Sequence, residues 1–197
     1  GLRSSGKSFH DHLAQVLRDL GFESSKGDPD VWMRKANKPN GDKIWEYVLV
    51  YVDDLLCISH DPRAVMDGIA QTYTFKGGAA EEPTAYLGAD IGKYEPEGPD
   101  TPSKWYMSSD TYVKRAVEDV ERELPENQKL IGKASTPMSQ GYHPEADGSP
   151  LLDDKRVNYY QTLIGVMRWI CELGRIDIVY DCSKLSRYLA APREGHL

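Results

Sequence analysis

Basic charge is in short supply in this chain. There are 24 Lys and Arg against 31 Asp and Glu, a formal net charge of −7. Surfaces that bind phosphate are normally basic, so composition alone argues against a nucleic-acid protein. The deficit is uneven. Residues 155–197 hold seven Lys or Arg and four Asp or Glu, an excess of three, which leaves −10 for residues 1–154. Long apolar runs are absent as well: none approaches the roughly 18 residues that a membrane span requires. No charged-then-apolar leader opens the chain. Cysteine is scarce and odd in number. Cys57, Cys171 and Cys182 lack metal-ligand spacing and read as reduced thiols of an intracellular protein. Cys57 sits in an apolar stretch and reads as core. The five histidines are scattered. His10 and His12, two apart, point to different faces of a helix, so a shared zinc ion is not expected. There is no internal repeat and no low-complexity tract. The opening residue is Gly1 rather than Met, as expected of a fragment.

What remains is ordinary for a globular protein. Hydrophobic residues are 40% of the 197 and charged residues 28%, enough to build one or two cored domains. Leu13, Val16, Leu17 and Leu20 recur at helical spacing, with Gly21 as the C-cap. Asp28-Pro29 begins a turn, Val31-Trp32-Met33 is a short strand, and 37–42, with Pro39, Asn40 and Gly41, is another turn. Residues 44–52 and 55–59 are apolar, aromatic and β-branched, so both read as strands. Only Asp53-Asp54 separates them, which predicts a tight hairpin with two carboxylates at its tip.

Asp61 caps a helix over 62–73, with Pro62 in its first turn. Residues 86–94 and 104–107 form a second antiparallel pair across a polar loop at 95–100. Ser108 or Ser109 caps a helix to 123, with Tyr112, Val113, Ala116, Val117 and Val120 on one stripe. Residues 125–154, rich in Pro and Gly, form a linker. Two helices follow, over 156–172 and 176–190, with Gly174 between them and Asp177 as N-cap of the second. Trp105 and Trp169 read as core. The fold class is α+β: a mainly antiparallel sheet with helices, then a helical appendage.

Adjacent aspartates between buried strands carry a cost. At about 4 Å two like charges repel by about 1 kcal/mol in water and about 4 kcal/mol at an intermediate dielectric. Two readings follow. Asp is at home in turns, so the pair can serve the turn alone, although Asn-Gly or Asp-Gly would do so without the repulsion. Alternatively a hard divalent cation such as Mg²⁺ relieves the repulsion through carboxylate oxygens.

Tyr51-Val52-Asp53-Asp54, preceded by the apolar 47–50 and followed by Leu55-Leu56, resembles the catalytic hairpin of reverse transcriptases. Gly1-Leu2-Arg3, Leu20-Gly21-Phe22 and Asp28-Pro29 resemble the segment upstream of that hairpin in copia-type LTR retrotransposons. Tyr86-Leu87-Gly88 resembles the family's primer-grip strand, and Ser135-Thr136-Pro137-Met138 its linker after the thumb helix. Residues 160–165, 174–178, Leu185-Ser186-Arg187 and His196-Leu197 resemble the stretch leading into ribonuclease H. Nearly the whole chain is covered, in order.

The resemblance implies a polymerase palm with the start of a thumb at 1–124, a linker at 125–154, and a helical connection toward ribonuclease H at 155–197. It implies RNA-directed DNA polymerase activity: nucleotidyl transfer from a dNTP to a primer 3′ hydroxyl, assisted by two Mg²⁺ or Mn²⁺ ions. Asp53 and Asp54 become the catalytic metal ligands, with Asp53 the more direct. Tyr51, Val52, Tyr86, Leu87 and Gly88 become contacts to the primer, and Arg3 a nucleotide-side residue. Each has a plainer reading: Tyr51 as a cross-strand packing residue, Leu87 as a strand residue, Gly88 as a bulge, Arg3 as a solvated charge. Lys114, Arg115, Arg168, Arg175, Lys184 and Arg187 are phosphate-contact candidates or solvated helix charges.

The implied partners are an RNA template, a DNA or RNA primer, dNTPs, and the upstream fingers and downstream ribonuclease H segments of one polyprotein. The implied setting is cytoplasmic retroelement particles whose product gains nuclear access. Ser4-Ser5-Gly6 departs from the family's Gln-Ala-Pro, which weakens a nucleotide contact there. The family's third catalytic aspartate lies on a strand upstream of Gly1, so the chain alone is expected to be inactive. The competing expectations are a non-catalytic retroelement remnant that binds nucleic acid or a partner, and a palm-like cyclase.

Overall fold

A computed structural model describes residues 4–95, 103–126, 128–130, 132 and 136–197. Gly1-Leu2-Arg3, most of the 95–100 loop and Ser135 lie outside these residues. Helices and antiparallel sheet make up the described chain, the α+β class that the sequence predicts. It forms two compact units, Gly1–Tyr86 and Leu87–Leu197.

The first unit opens with α1 (Ser5–Asp19), which buries Leu13, Ala14 and Leu17. Its end follows the local chemistry predicted for Gly21. That glycine takes φ 84°, which lets its N–H reach the Arg18 carbonyl at 2.9 Å and the Phe22 N–H reach Leu17 at 2.9 Å. This pair of bonds satisfies carbonyls that the helix end leaves over, and Phe22 and Leu17 both join the core. Four strands follow, β1 (Glu23–Ser24), β2 (Val31–Asn37), β3 (Lys43–Tyr51) and β4 (Asp54–Ile58), antiparallel and in sequence order. The helix α2 (Pro62–Ala70) is capped by Asp61, whose carboxylate accepts the Ala64 N–H at 3.1 Å. The predicted extension to 73 continues only as turns. A two-residue strand, β5 (Ala85–Tyr86), ends the unit.

Strand alternation decides which face is covered. Trp32, Val48 and Val50 pack with Leu13, Leu17, Val65 and Ile69 of the two helices, and Leu55 and Cys57 close over them. Each fully buried side chain of this size is worth about 1.5–3 kcal/mol relative to exposure. Trp45, Tyr51 and Ile58 stay exposed.

Glu46 is also buried, at 2% exposure. The Arg34 Nε donates to its Oε2 at 2.6 Å, and the Ser59 hydroxyl donates to its Oε1. His60 Nδ1 lies 3.3 Å from the same carboxylate. Arg34 also donates to the Leu20 carbonyl at 2.7 Å and lies over the Phe22 ring, so one network ties the end of α1 to the sheet. Burial pushes the Glu46 carboxyl up, but the bonds from Ser59 and Arg34 outweigh it and leave the group below its ordinary range.

The second unit contains the hairpin of β6 (Ala89–Tyr94) and β7 (Lys104–Ser108), then α3 (Asp110–Glu123), α4 (Asp154–Glu172) and α5 (Val179–Ser186). None of the predicted stripe on α3 is buried. The last helix is shorter than predicted. Residues 176–178 form a 3₁₀ turn, and Asp177 does not cap α5. The reason is local: the Arg175 guanidinium grips both Asp177 carboxylate oxygens, at 2.8 and 2.7 Å.

Leu152, Tyr160 and Ile164 form a small core, with Leu185, Tyr188 and Leu189 against them. Residues 142–152 are fastened by the end of the chain. Leu152 N–H donates to Pro192, Glu194 N–H donates to Pro150, and Leu151 bridges Arg193. His196 is buried; its Nδ1 accepts the Arg193 N–H at 3.1 Å and its Nε2 donates to the Pro144 carbonyl at 3.0 Å. Among the described residues no helix is long and apolar enough to cross a membrane.

Candidate functional site

The predicted carboxylate hairpin forms, with its turn one residue earlier than Asp53-Asp54. Tyr51 pairs directly with Asp54, and Val52 and Asp53 make the two-residue loop. Asp54 is therefore the first residue of β4. The register accounts for this. Val50 opposes Leu55 and Val48 opposes Cys57. Two further steps set Ser59 beside Glu46, to whose carboxylate it donates. A loop at 53–54 would instead bring Asp61 opposite Glu46, two carboxylates on a buried face.

Among non-glycine residues only Val52 and Leu87 have positive φ in the described chain, and Val52 is at 56°. Positive φ at the first central position and not at the second is the pattern of a type II′ turn, which favours Gly there. A β-branched residue in that conformation is strained by about 1–3 kcal/mol, and such strain gathers at functional sites. Val52 projects outward at 73% exposure, beside Tyr51 at 48%. Asp53 and Asp54 are both exposed.

Tyr86 belongs to the same unit and is half-buried. Burial first, and the Asp54 carboxylate second, push its hydroxyl above the ordinary tyrosine range. The hydroxyl therefore stays protonated beside Asp54 and is a hydrogen-bond donor. Tyr51, Val52, Asp53, Asp54 and Tyr86 thus share the first unit, with Tyr86 within electrostatic reach of Asp54.

Leu87 and Gly88 open the second unit, both at positive φ (51° and 88°). The Leu87 carbonyl accepts the Trp169 indole N–H at 3.0 Å. A Cβ on Gly88 would press on the Tyr112 ring at 3.0 Å. Trp169, read from sequence as core, is therefore the anchor of this strained dipeptide. Arg3 lies outside the described residues.

Several basic candidates are engaged within the chain. Lys114 pairs with Asp110 at 3.4 Å, Arg175 with Asp177, and Lys184 with Glu145 at 3.7 Å. Arg115, Arg168 and Arg187 are exposed. His10 and His12 go to separate partners, Asp30 at 2.7 Å and the Tyr73 hydroxyl at 2.5 Å, as their spacing implies. Among the described residues no group of three or more His, Cys, Asp or Glu side chains is arranged to hold a metal ion. The Asp53-Asp54 pair supplies two adjacent hard-oxygen donors, the chemistry that Mg²⁺ takes, and leaves further ligands to come from elsewhere. The Glu46 network was missed in the sequence. Its signal was the alternation itself, since residue 46 falls on the same inward face as 48 and 50.

No protein-family model matches the chain, and no solved structure matches it. Curated relatives do. A transposon Ty5-1 protein of Saccharomyces cerevisiae is 27% identical over 201 residues, covering all of this chain and 58% of that protein. The retrovirus-related Pol polyproteins from transposons RE1 and RE2 of Arabidopsis thaliana are 25% and 23% identical. Both alignments again cover all of this chain, but 12% of each polyprotein. The chain is thus similar over its whole length to part of a transposon Ty5-1 protein and to a short segment of the retrovirus-related Pol polyproteins of transposons RE1 and RE2.

Proposed function

We propose that this chain is the palm-and-thumb segment of a reverse transcriptase, an RNA-directed DNA polymerase that extends a primer 3′ hydroxyl with dNTPs on an RNA template. The observation that carries the reading is the exposed Asp53-Asp54 pair, set on a strained turn between two anchored strands. The end-to-end relation to Pol polyproteins supports it.

Asp53 and Asp54 would hold two Mg²⁺ or Mn²⁺ ions, whose bound charge would favour the primer alkoxide and the departing pyrophosphate. The other contributions belong to the chain. The two carboxylates concentrate negative charge at one exposed point. Tyr51 and Val52 present apolar surface beside it, suited to the sugar and base of a primer terminus. Tyr86 offers a hydroxyl that stays protonated next to Asp54. Leu87 and Gly88 bring backbone close to whatever they bind, as a primer-supporting strand needs. Arg3 completes the reading as a nucleotide-side residue.

Two carboxylates without a third do not support efficient transfer, so the upstream segment of the same polyprotein supplies the missing ligand. This chain alone is inactive. The particle setting in the cytoplasm, with nuclear access of the product, belongs to the same reading.

Primer extension tests it. The chain with its native upstream segment restored extends a primer on RNA template with Mg²⁺ or Mn²⁺, and the Asp53→Asn, Asp54→Asn double variant loses extension by at least about a hundredfold. Extension that survives the double substitution sinks the assignment. The net charge of −7 and the internal pairing of Lys114, Arg175 and Lys184 favour a second reading, a non-catalytic remnant that binds a partner. A folded, metal-replete protein with no extension at all would select it.

A further inference from the structure

Leu87 is the one non-glycine residue besides Val52 to take positive φ among the described residues. With Gly88 it makes a run of two, at 51° and 88°, the pattern of a type I′ turn, whose first central place favours Asn, Asp or Gly. Leucine there works against its own preference. What holds it comes from far along the chain. The Trp169 indole N–H, on α4, donates to the Leu87 carbonyl at 3.0 Å across 82 residues. The same nitrogen lies 3.6 Å from where a Gly88 Cβ would stand, and the Tyr112 ring of α3 is 3.0 Å from that point. Just beyond, Ala89 is buried, and the Asp90 carboxylate accepts the Thr111 N–H at 3.1 Å, tying β6 to the start of α3. Two helices thus fill one side of the turn. Gly88 remains exposed, so the other side is open.

We propose, resting on the polymerase reading in which Leu87 and Gly88 contact the primer, that Trp169 is a positioning residue for that primer. Its indole N–H keeps the turn in the conformation whose open side takes the primer's sugar–phosphate backbone. Gly88 admits that backbone closely because it has no side chain. Trp169 touches no substrate and acts through the Leu87 carbonyl. Packing alone does not replace it, since a phenyl ring fills much of the same space but has no donor. Without the donor, Leu87 relaxes toward negative φ in part of the population. The primer then meets the competent turn less often, and its apparent affinity falls by that fraction. One neutral hydrogen bond limits the loss to between about twofold and tenfold. Asp53 and Asp54 serve the dNTP in the same reading, so the dNTP KM does not follow. Trp169 lies on α4, within 155–197, so a polymerase cut short after α3 would keep this turn and lose its anchor.

The experiment uses the whole chain with its native upstream segment, as the parent and as Trp169→Phe. A third protein carries 3-benzothienylalanine at position 169, which keeps the shape of the indole and puts sulfur in place of its N–H. Fluorescence anisotropy of a labelled primer–template duplex gives Kd without dNTP. Extension assays then give the KM for primer–template and for dNTP separately, and urea denaturation gives the stability of each protein. Both variants should raise the Kd and the KM for primer–template by about twofold to tenfold, with the dNTP KM unchanged. The benzothienylalanine protein keeps the test open where phenylalanine disturbs the fold. Primer–template values equal to the parent's in that protein overturn the proposal and leave the polymerase reading standing. So does a rise shared equally by the dNTP KM, which would make Trp169 a general packing residue. A folded parent that neither binds nor extends the primer overturns the polymerase reading, and the proposal falls with it.

Discussion

The two units reach stability by different routes. The first is built by periodicity: alternating residues of a four-stranded sheet meet stripes from two helices, and the core is continuous from Leu13 to Ile69. The second has a small core at Leu152, Tyr160 and Ile164, and much of its definition comes from backbone bonds between segments about 40 residues apart. In the first unit side chains select the structure and the backbone follows. In the second, carbonyls and N–H groups of irregular chain find partners, and one buried histidine locks them. The carboxylate hairpin belongs to the first kind of construction, which is the kind that can hold Val52 in a strained turn.

The largest expected effect breaks the first unit at Glu46, its one buried charge among the described residues. Glu46→Gln keeps the shape but removes the carboxylate that Arg34 and Ser59 bond, at a cost of about 2 kcal/mol at neutral pH. Its pH dependence is the sharper test. The Glu46 carboxyl is held below its ordinary value of 4.5 in the folded chain. A depressed carboxyl contributes stability that is present above the unfolded value and is lost as pH falls through the folded one. Urea titrations of both proteins should therefore differ most above pH 4.5 and converge at more acid pH. Curves that stay parallel down to acid pH would mean that the charge contributes nothing.

The middle effect falls on the second unit. Gly195 lies so close to Asp147 that a Cβ would collide with its carboxylate, which is itself held by the Ser149 N–H at 2.7 Å. Gly195→Ala should cost about 1–2 kcal/mol, as overpacking does. Hydrogen exchange locates the damage: the Leu152 and Glu194 amides, which donate to Pro192 and Pro150, lose protection while the Val48 and Val50 amides keep theirs. Unchanged protection at Leu152 and Glu194 would show that the strap does not hold this unit.

The same contrast explains what could be read in advance. Runs of apolar, aromatic and β-branched residues put β3 and β4 on the page, and the Leu13–Leu17 stripe with Gly21 gave α1 its end, because each signal lies within a few residues. The turn was displaced by one because its position depends on Glu46 meeting Ser59, a side-chain contact 13 residues apart. The fastening of 142–152 by 192–196 was invisible. Backbone bonds between irregular segments leave no period, and Pro144 and Pro150 read as part of a linker although their carbonyls, like that of Pro192, are acceptors. The last helix was overdrawn for a related reason: Tyr188 and Leu189 carry the apolar period onward, yet they reach the core from turns after Ser186.

The smallest effect bears on the site. Val52→Gly removes a β-branched side chain from φ 56°, relieving about 1–3 kcal/mol of strain while adding about 0.5–1 kcal/mol of unfolded-chain entropy. The relief matches or exceeds the cost, so the variant should be equal to the parent or more stable, by up to about 2 kcal/mol. Val52→Ala, which keeps the Cβ, should recover less of the gain. Since the side chain is 73% exposed, little packing is lost in either case. A Val52→Gly protein that is clearly less stable, by equilibrium denaturation, would mean that Val52 makes a contact worth more than its strain. If the gain appears, the strand register holds Val52 against its own preference, and the hairpin tip is a place where the first unit gives up stability for position.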